Sequence, residues 1–419
     1  MYRIIDAFNS LFKRKLLSIL IITQLFLSIS CLTMTINTFK NLLYLNKSNN
    51  CLLDFNTPIY TLNTDKSNTL KTPTDDLIAE SKAVYNELSN DANLSGFGSY
   101  TIEAMPFENS SKKIDTAFLS NFKNPFANVG TTMIDTLNID YGFYSISNIE
   151  VSSGRVFSKE DFSSTNDKKI NIILGDSFKN YLSLGDVINN KYKIIGFLKE
   201  GIFSLQNNAA SDYLNLDKCI IIPCTFSDDL QRYFNLYQST IIKLKDSSKL
   251  KPVNEAIALK GKTLSLKASS LKSMFQKNYD TILTQEKPNL TIEACFLFFS
   301  IIGIVIVTVV SILLRKRDIG IRLAVGDSIY GIWFQTFLEN LILGISALIL
   351  SIIYFFTRFN NYMNFLKYVS SISADNMQMN PQIVTVLFIL ILFILFAANS
   401  IVFLFLKKLQ PKEMIGGVD

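Results

Sequence analysis

Arg315–Ser328, RKRDIGIRLAVGDS, is the stretch from which the rest of the chain can be laid out. It follows directly on an apolar run, 292–314, and about 20 apolar residues suffice to cross a bilayer as a helix. Four bases arrive at once: Arg315, Lys316, Arg317 and Arg322. Bases crowded beside a span mark its cytoplasmic end. A plain stop-transfer anchor needs no more than that. The residues between the bases ask for more. Ile319, Ile321, Leu323 and Val325 are interleaved with Gly320, Arg322 and Gly326, a pattern that suits a short amphipathic segment meeting another protein at the membrane surface.

Three more apolar runs lie outward from this point, at 16–36, 329–357 and 381–406. The chain of 419 residues is 48% hydrophobic with a mean hydropathy of +0.25. That is high for a soluble protein and modest for one that is all membrane. The expected fold is an α-helical four-span membrane protein with a large α+β extracytoplasmic domain, 37–290, inserted between spans one and two. Segments 1–15, 315–328 and 407–419 are then cytoplasmic, and 358–380 is an outer loop. Charge agrees with this layout. From Thr38 to Leu290 there are 28 bases and 27 acids, whereas the three cytoplasmic pieces hold 11 bases and 5 acids. The +6 net charge therefore orients a multi-pass protein, with both termini inside, and is no sign of nucleic-acid binding.

The first fifteen residues read as a basic amphipathic lead. Ile4, Ile5, Phe8, Leu11 and Phe12 recur at helical spacing among Arg3, Lys13, Arg14 and Lys15, which suits a helix lying in the membrane interface. The run after it is too long for a signal-peptide core, so it is expected to stay as the first span. In the third span Glu339 is an intramembrane acid, a functional suspect in principle. It is expected near the inner headgroups. Gly344 and Ser346 are small enough to let helices approach.

Within 37–290 the patterns predict a helix at Thr72–Asn90 and strands at Tyr144–Val151, Lys169–Leu174, Tyr192–Leu198 and Lys218–Ile222. Helices are expected at Ser269–Tyr279 and Asp280–Gln285, with Pro288 as a break before the second span. Cys219 and Cys224 flank a strand, an unfavourable geometry for a bridge, and are expected as thiols. The chain has no His, its Cys spacing fits no metal site, and no GxxxxGK[ST] occurs. No catalytic, metal or cofactor site is expected.

The opening stretch resembles the permease subunits of MacB/FtsX-type ABC transporters, whose motif reads roughly RRREIGIxxALGA. Here Asp318 stands for the usual Glu and Asp327 for the usual Ala. A second likeness lies in the extracytoplasmic part. Gly154-Arg155-Val156-Phe157 with Asp161, Ile172-Ile173-Leu174-Gly175, Gly185-Asp186 and Ile194-Ile195-Gly196-Phe197 follow the order and spacing of the MacB-like core domain. Physically, Gly154, Gly175, Gly185 and Gly196 are places where strands turn tightly, and Arg155 could pair with Asp161 or stack on Phe157. These are expected to hold the fold.

The resemblance implies that Arg315, Arg317, Asp318, Ile319, Gly320, Ile321, Arg322, Leu323 and Gly326 couple the chain to a separate cytosolic ABC ATPase in a bacterial plasma membrane. It implies a dimer with a second permease subunit, and ATP-driven movement of the outer domain (mechanotransmission) for export of, or resistance to, peptides, antibiotics or lipidated molecules. The other expectation carried by the resemblance is an FtsX-like regulator of a cell-wall hydrolase that moves no substrate.

Overall fold

Backbone in hydrocarbon must satisfy its own hydrogen bonds, so a long apolar run has little choice but helix. In the computed structural model the first run is helix α1 (Lys15–Leu45). The structure describes residues 7, 10–12, 14–45, 50–64, 72–107, 133–163, 169–206, 213–359 and 381–408. The rest of the lead, most of the 358–380 loop and most of the 407–419 tail lie outside them. At 1.5 Å per residue α1 is about 46 Å long, beyond the ~30 Å of hydrocarbon. It thus continues past the 16–36 run.

The α+β unit, Asn41–Ile282, follows. Its elements run in the order β1 (Ile59–Thr64), α2 (Asp75–Asn90), β2 (Leu94–Pro106), β3 (Met133–Ile139), α3 (Tyr141–Ile146), β4 (Val151–Gly154), β5 (Ile170–Leu174), β6 (Val187–Ile188), β7 (Tyr192–Leu198), β8 (Phe203–Leu205), β9 (Tyr213–Asn215), β10 (Ile220–Pro223), α4 (Asp229–Gln238), β11 (Thr240–Leu244), α5 (Leu250–Lys260) and β12 (Leu266–Ser270). Among the described residues the main sheet has the order β12-β1-β11-β2-β3-β10-β5-β7-β4, with β6 on β7. Pairing is antiparallel apart from β3–β10 and β5–β7. The long strand β2 joins the two halves of the sheet. Its first part, Leu94–Ser99, pairs with β11, and its second, Tyr100–Pro106, pairs with β3. Leu77, Val84 and Leu88 of α2, Tyr233 and Leu236 of α4, and Val253 and Ile257 of α5 bury one face. A second core gathers Tyr100, Phe143 and Phe203, and a third packs Phe178 and Leu182 over β5, β7 and β10.

One expected strand is replaced. Tyr144–Val151 is the end of a short helix, α3, followed by β4. Asp140 starts that helix by accepting from the Phe143 N–H at 2.6 Å, a side-chain cap that competes with extension. Gly98 and Gly142 let α3 lie on β2: a Cβ on Gly98 would stand 1.8 Å from the Phe143 nitrogen. The helix expected from Thr72 starts at Asp75, where Thr74 caps it.

From Leu283 the chain belongs to a helical unit with the residues up to Lys40. The expected break at Pro288 is absent. Helix α6 (Leu271–Leu314) is continuous over 44 residues with Pro288 inside it. An interior proline costs about 3 kcal/mol, which the helix-favouring flanks on both sides outweigh. Three helices follow: α7 (Lys316–Ala324), α8 (Ile329–Tyr354) and α9 (Pro381–Lys408). Among the described residues four helices, α1, α6, α8 and α9, are long and apolar enough to cross a membrane. Gly344 sits where α8 meets α9; a Cβ there would touch Leu395 at 3.0 Å and Ile391 at 3.1 Å. Ser346 instead donates to Ile342 of its own helix. Several buried polar groups are paired across helices, as a low-dielectric bundle favours. Asn340 donates to Thr308 (3.0 Å) and Asn399 (3.2 Å), and Trp333 donates to the Asn399 carbonyl at 2.9 Å.

Candidate functional site

Glu339 is the polar centre of the helical unit. It lies on α8 and its side chain is 2% exposed. Arg315, at the junction of α6 and α7, grips it with both prongs, at 3.0 and 3.1 Å. Arg14, just before α1, pairs with the same carboxylate. Ser10 and Ser311 complete the cluster. Ser10 accepts from Arg315 at 2.7 Å and from Arg14 at 3.2 Å, and Ser311 accepts from Arg315 at 3.0 Å and also from Arg14. Arg forks match carboxylate geometry, which makes such pairs specific as well as strong. The cluster fixes the chain before α1, the end of α6 and the middle of α8 to one point.

Arg315 is thus committed to Glu339 within the chain. Arg322 is likewise held internally, donating to Gln335 at 2.6 Å and to Asp327 at 2.7 Å. Helix α7 begins just after Arg315 and contains Arg322. The alternation of apolar residues at 319, 321, 323 and 325 suggested one shared face, but on a helix residues two apart point different ways. Ile319 is buried with Ile312, Ile332, Val402 and Leu406, and Leu323 packs partly against them. Gly320 is buried as well. Ile319 and Gly320 therefore serve the chain's own packing. Arg317, Asp318, Ile321, Ala324 and Val325 are exposed, at the helical spacing i, i+1, i+4, i+7, i+8 that makes one face. Gly326 ends the helix at φ +105°. Its N–H reaches the Leu323 carbonyl at 3.1 Å and the Asp327 N–H that of Arg322 at 2.9 Å, a Schellman end that needs a residue comfortable at positive φ.

A second acid was not singled out from the sequence. Glu293, on α6, is 6% exposed and accepts from Thr35 of α1. One acid among apolar residues was the signal for it. The partnership of Glu339 with Arg14 was also not legible, since Arg14 reads in sequence as one more interfacial base.

In the α+β unit Arg155 pairs with Asp161 in bidentate fashion, at 2.7 and 3.1 Å. Asp161 also accepts from the Ser158 N–H at 2.7 Å and from Asn171 at 2.6 Å. Burial pushes its pKa up, but Arg155 and these hydrogen bonds outweigh that and hold it well below the usual carboxylate range. Phe157 is buried against Tyr144 and Phe162. Gly154 (φ +86°) faces Gly196 across β4–β7, and a Cβ on Gly154 would stand 2.2 Å from the Ile195 carbonyl. Gly175 follows β5 and donates to the Cys219 carbonyl, and Gly185 donates to that of Ile194.

Comparison with known proteins gives two family matches. Residues 64–259 match the MacB-like periplasmic core domain, and residues 291–411 match the FtsX-like permease C-terminal domain. Among solved structures, the extracellular domain of the noncanonic ABC-type transporter YknZ from Gram-positive bacteria is 16% identical with a TM-score of 0.30, covering 50% of this chain and 99% of that one. The periplasmic region of MacB from Actinobacillus actinomycetemcomitans is 14% identical with a TM-score of 0.33, covering 53% of this chain and 92% of that one. No curated protein matches. The first match covers most of the α+β unit and the second the later part of α6 with α7, α8 and α9, and the chain belongs to the MacB/FtsX-type permease subunits of ABC transporters.

Proposed function

We propose that the chain couples ATP hydrolysis by a separate cytosolic ABC ATPase to movement of its extracytoplasmic α+β domain. Permeases of this family normally work with such an ATPase. The observation that carries the reading is α7. It is clamped by Arg315–Glu339 before it and Arg322–Gln335 near its end, while Arg317, Asp318, Ile321, Ala324 and Val325 stay exposed. A helix fixed in this way passes a push on its outer face to α6 and α8 through rigid contacts. Ile321 and Val325 supply the apolar centre of an ATPase contact, and Arg317 and Asp318 its charged rim. Gly326 shapes the turn into α8. ATP is bound by the partner, a second permease subunit completes the complex, and both termini lie in the cytoplasm of a bacterial cell. Peptides, antibiotics or lipidated molecules are the substrates this reading favours, and the match of 64–259 to the MacB-like core supports it over the FtsX-like hydrolase regulator.

The test is the double variant Ile321→Asp/Val325→Asp. Both side chains are exposed, at 47% and 84%, so the chain should fold normally. Co-purification with its ATPase should fall at least about tenfold, since desolvating a new carboxylate at an apolar contact costs more than about 1.4 kcal/mol. Undiminished complex formation and substrate-stimulated ATP hydrolysis would show that α7 is a membrane anchor and nothing more.

A further inference from the structure

Among the described residues, the second part of β2 has an open edge. Tyr100 donates its N–H to the Ser239 carbonyl at 3.3 Å, on the β11 side. Ser99 turns the other way: its carbonyl accepts from Asp140, the residue after β3. Successive residues of a strand point their backbone groups to opposite edges, so those of Ile102 and Ala104 face the β11 side. Pairing with β11 stops at Ser99, because β11 begins at Thr240 and the chain before it is α4. Among the described residues no strand pairs with β2 on this side beyond that point. Pro106 then closes the edge, as proline commonly does.

A cavity of about 550 Å3 opens on this edge. Thr101, Ile102 and Glu103 line one side, and Gln206, Gln231 and Gln238 are among its other walls. A further lining residue, Ser239, is 5% exposed and buries a hydroxyl with no hydrogen-bond partner. Asn235, which accepts from Gln231 at 3.1 Å, buries an amide nitrogen in the same condition. A native fold leaves few such groups unsatisfied; one on a lining residue and one on Asn235, beside the Gln231 wall, mark the cavity as a place where something polar binds.

We propose that this edge is a docking site for an extended peptide segment of a partner, added to the sheet as a strand beside β2. Free backbone groups at alternate residues are what strand addition uses for affinity. The three glutamine amides each offer a donor and an acceptor, the complement of a peptide group. Exposed Glu103 has no basic partner among the described residues and accepts only from Thr101, which favours a segment carrying lysine or arginine. The proposal does not rest on the coupling reading, because binding here needs neither ATP nor the ATPase.

The experiment uses the full chain in lipid nanodiscs and a short fluorescent peptide of alternating threonine and valine with a lysine at each end. Backbone-driven addition tolerates sequence, so this probe should bind and raise the anisotropy to saturation. The same peptide N-methylated at alternate residues should bind at least tenfold more weakly. Ile102→Pro removes an edge N–H without touching the β3 ladder and should weaken binding at least tenfold; Gln231→Ala/Gln238→Ala should weaken it several-fold while the sheet stays intact. Hydrogen exchange in β3 reports whether either variant has disturbed the fold. Absence of binding by the native chain, or equal binding by Ile102→Pro or by the methylated probe, overturns the proposal. So does a Glu103→Cys chain that forms disulfide-linked pairs which exclude the probe, for the edge is then covered by a second copy.

Discussion

Glu339→Gln tests the centre of the helical unit. The carboxylate takes Arg315 at 3.0 and 3.1 Å and Arg14 besides, and it is 2% exposed. Removing one partner of a buried ion pair costs about 3–5 kcal/mol, because the other charge is left uncompensated. Here two guanidiniums would be left facing each other. They are 14% and 26% exposed, so water can reach them in part, which reduces the expected cost to about 2–3 kcal/mol. That is roughly two orders of magnitude in the folding equilibrium. Arg14→Gln should cost less, about 1 kcal/mol, since it leaves one arginine on one carboxylate. The double variant should be less unstable than the sum of the two by at least ~1 kcal/mol, as groups sharing one network are not additive. Unfolding in mixed micelles can be followed by the fluorescence of Trp333, the single tryptophan, which lies on α8 stacked on Phe337. A Glu339→Gln chain within about 0.5 kcal/mol of the native one, or strict additivity in the double variant, would refute the argument.

Other tests address separate elements. Gly326→Ala places a Cβ in open space at φ +105°, so its cost is that of the backbone conformation alone, about 1–2 kcal/mol, read as a lower unfolding midpoint. Gly98→Ala would drive a Cβ to 1.8 Å from the Phe143 nitrogen and should abolish protection of α3 in hydrogen exchange. Burial pushes the Asp140 carboxyl up to about 6 despite its backbone hydrogen bonds. The native state thus holds this proton more tightly than the unfolded chain, and the stability so gained is full below about pH 4 and lost as pH rises through about 6. Asp161 has the opposite sign: its contribution is present above about pH 4 and lost on acidification. Hydrogen exchange in β2 and α3 against pH should lose its slope between about pH 4 and 6 in Asp140→Asn; an unchanged slope there would contradict the assignment.

The sequence alone determined what depends on runs and local rules. Four apolar stretches must become helices wherever water is absent, and alternating segments such as Tyr192–Leu198 became strands with the bounds their pattern implied. Glycines and the Arg155–Asp161 spacing were readable because both act within a few residues. What the sequence could not decide involved partners far apart along it. Pro288 looked like a break because its cost is local, whereas the helix around it draws on all of its 44 residues. Tyr144–Val151 looked like a strand because the cap at Asp140 and the glycine contact with β2 come from outside its alternation. The bases at 14 and 315 looked alike as membrane-facing charges. Tertiary structure alone set both on Glu339, 325 and 24 residues away, because a carboxylate buried among helices must be neutralised by whatever cation the packing brings within reach.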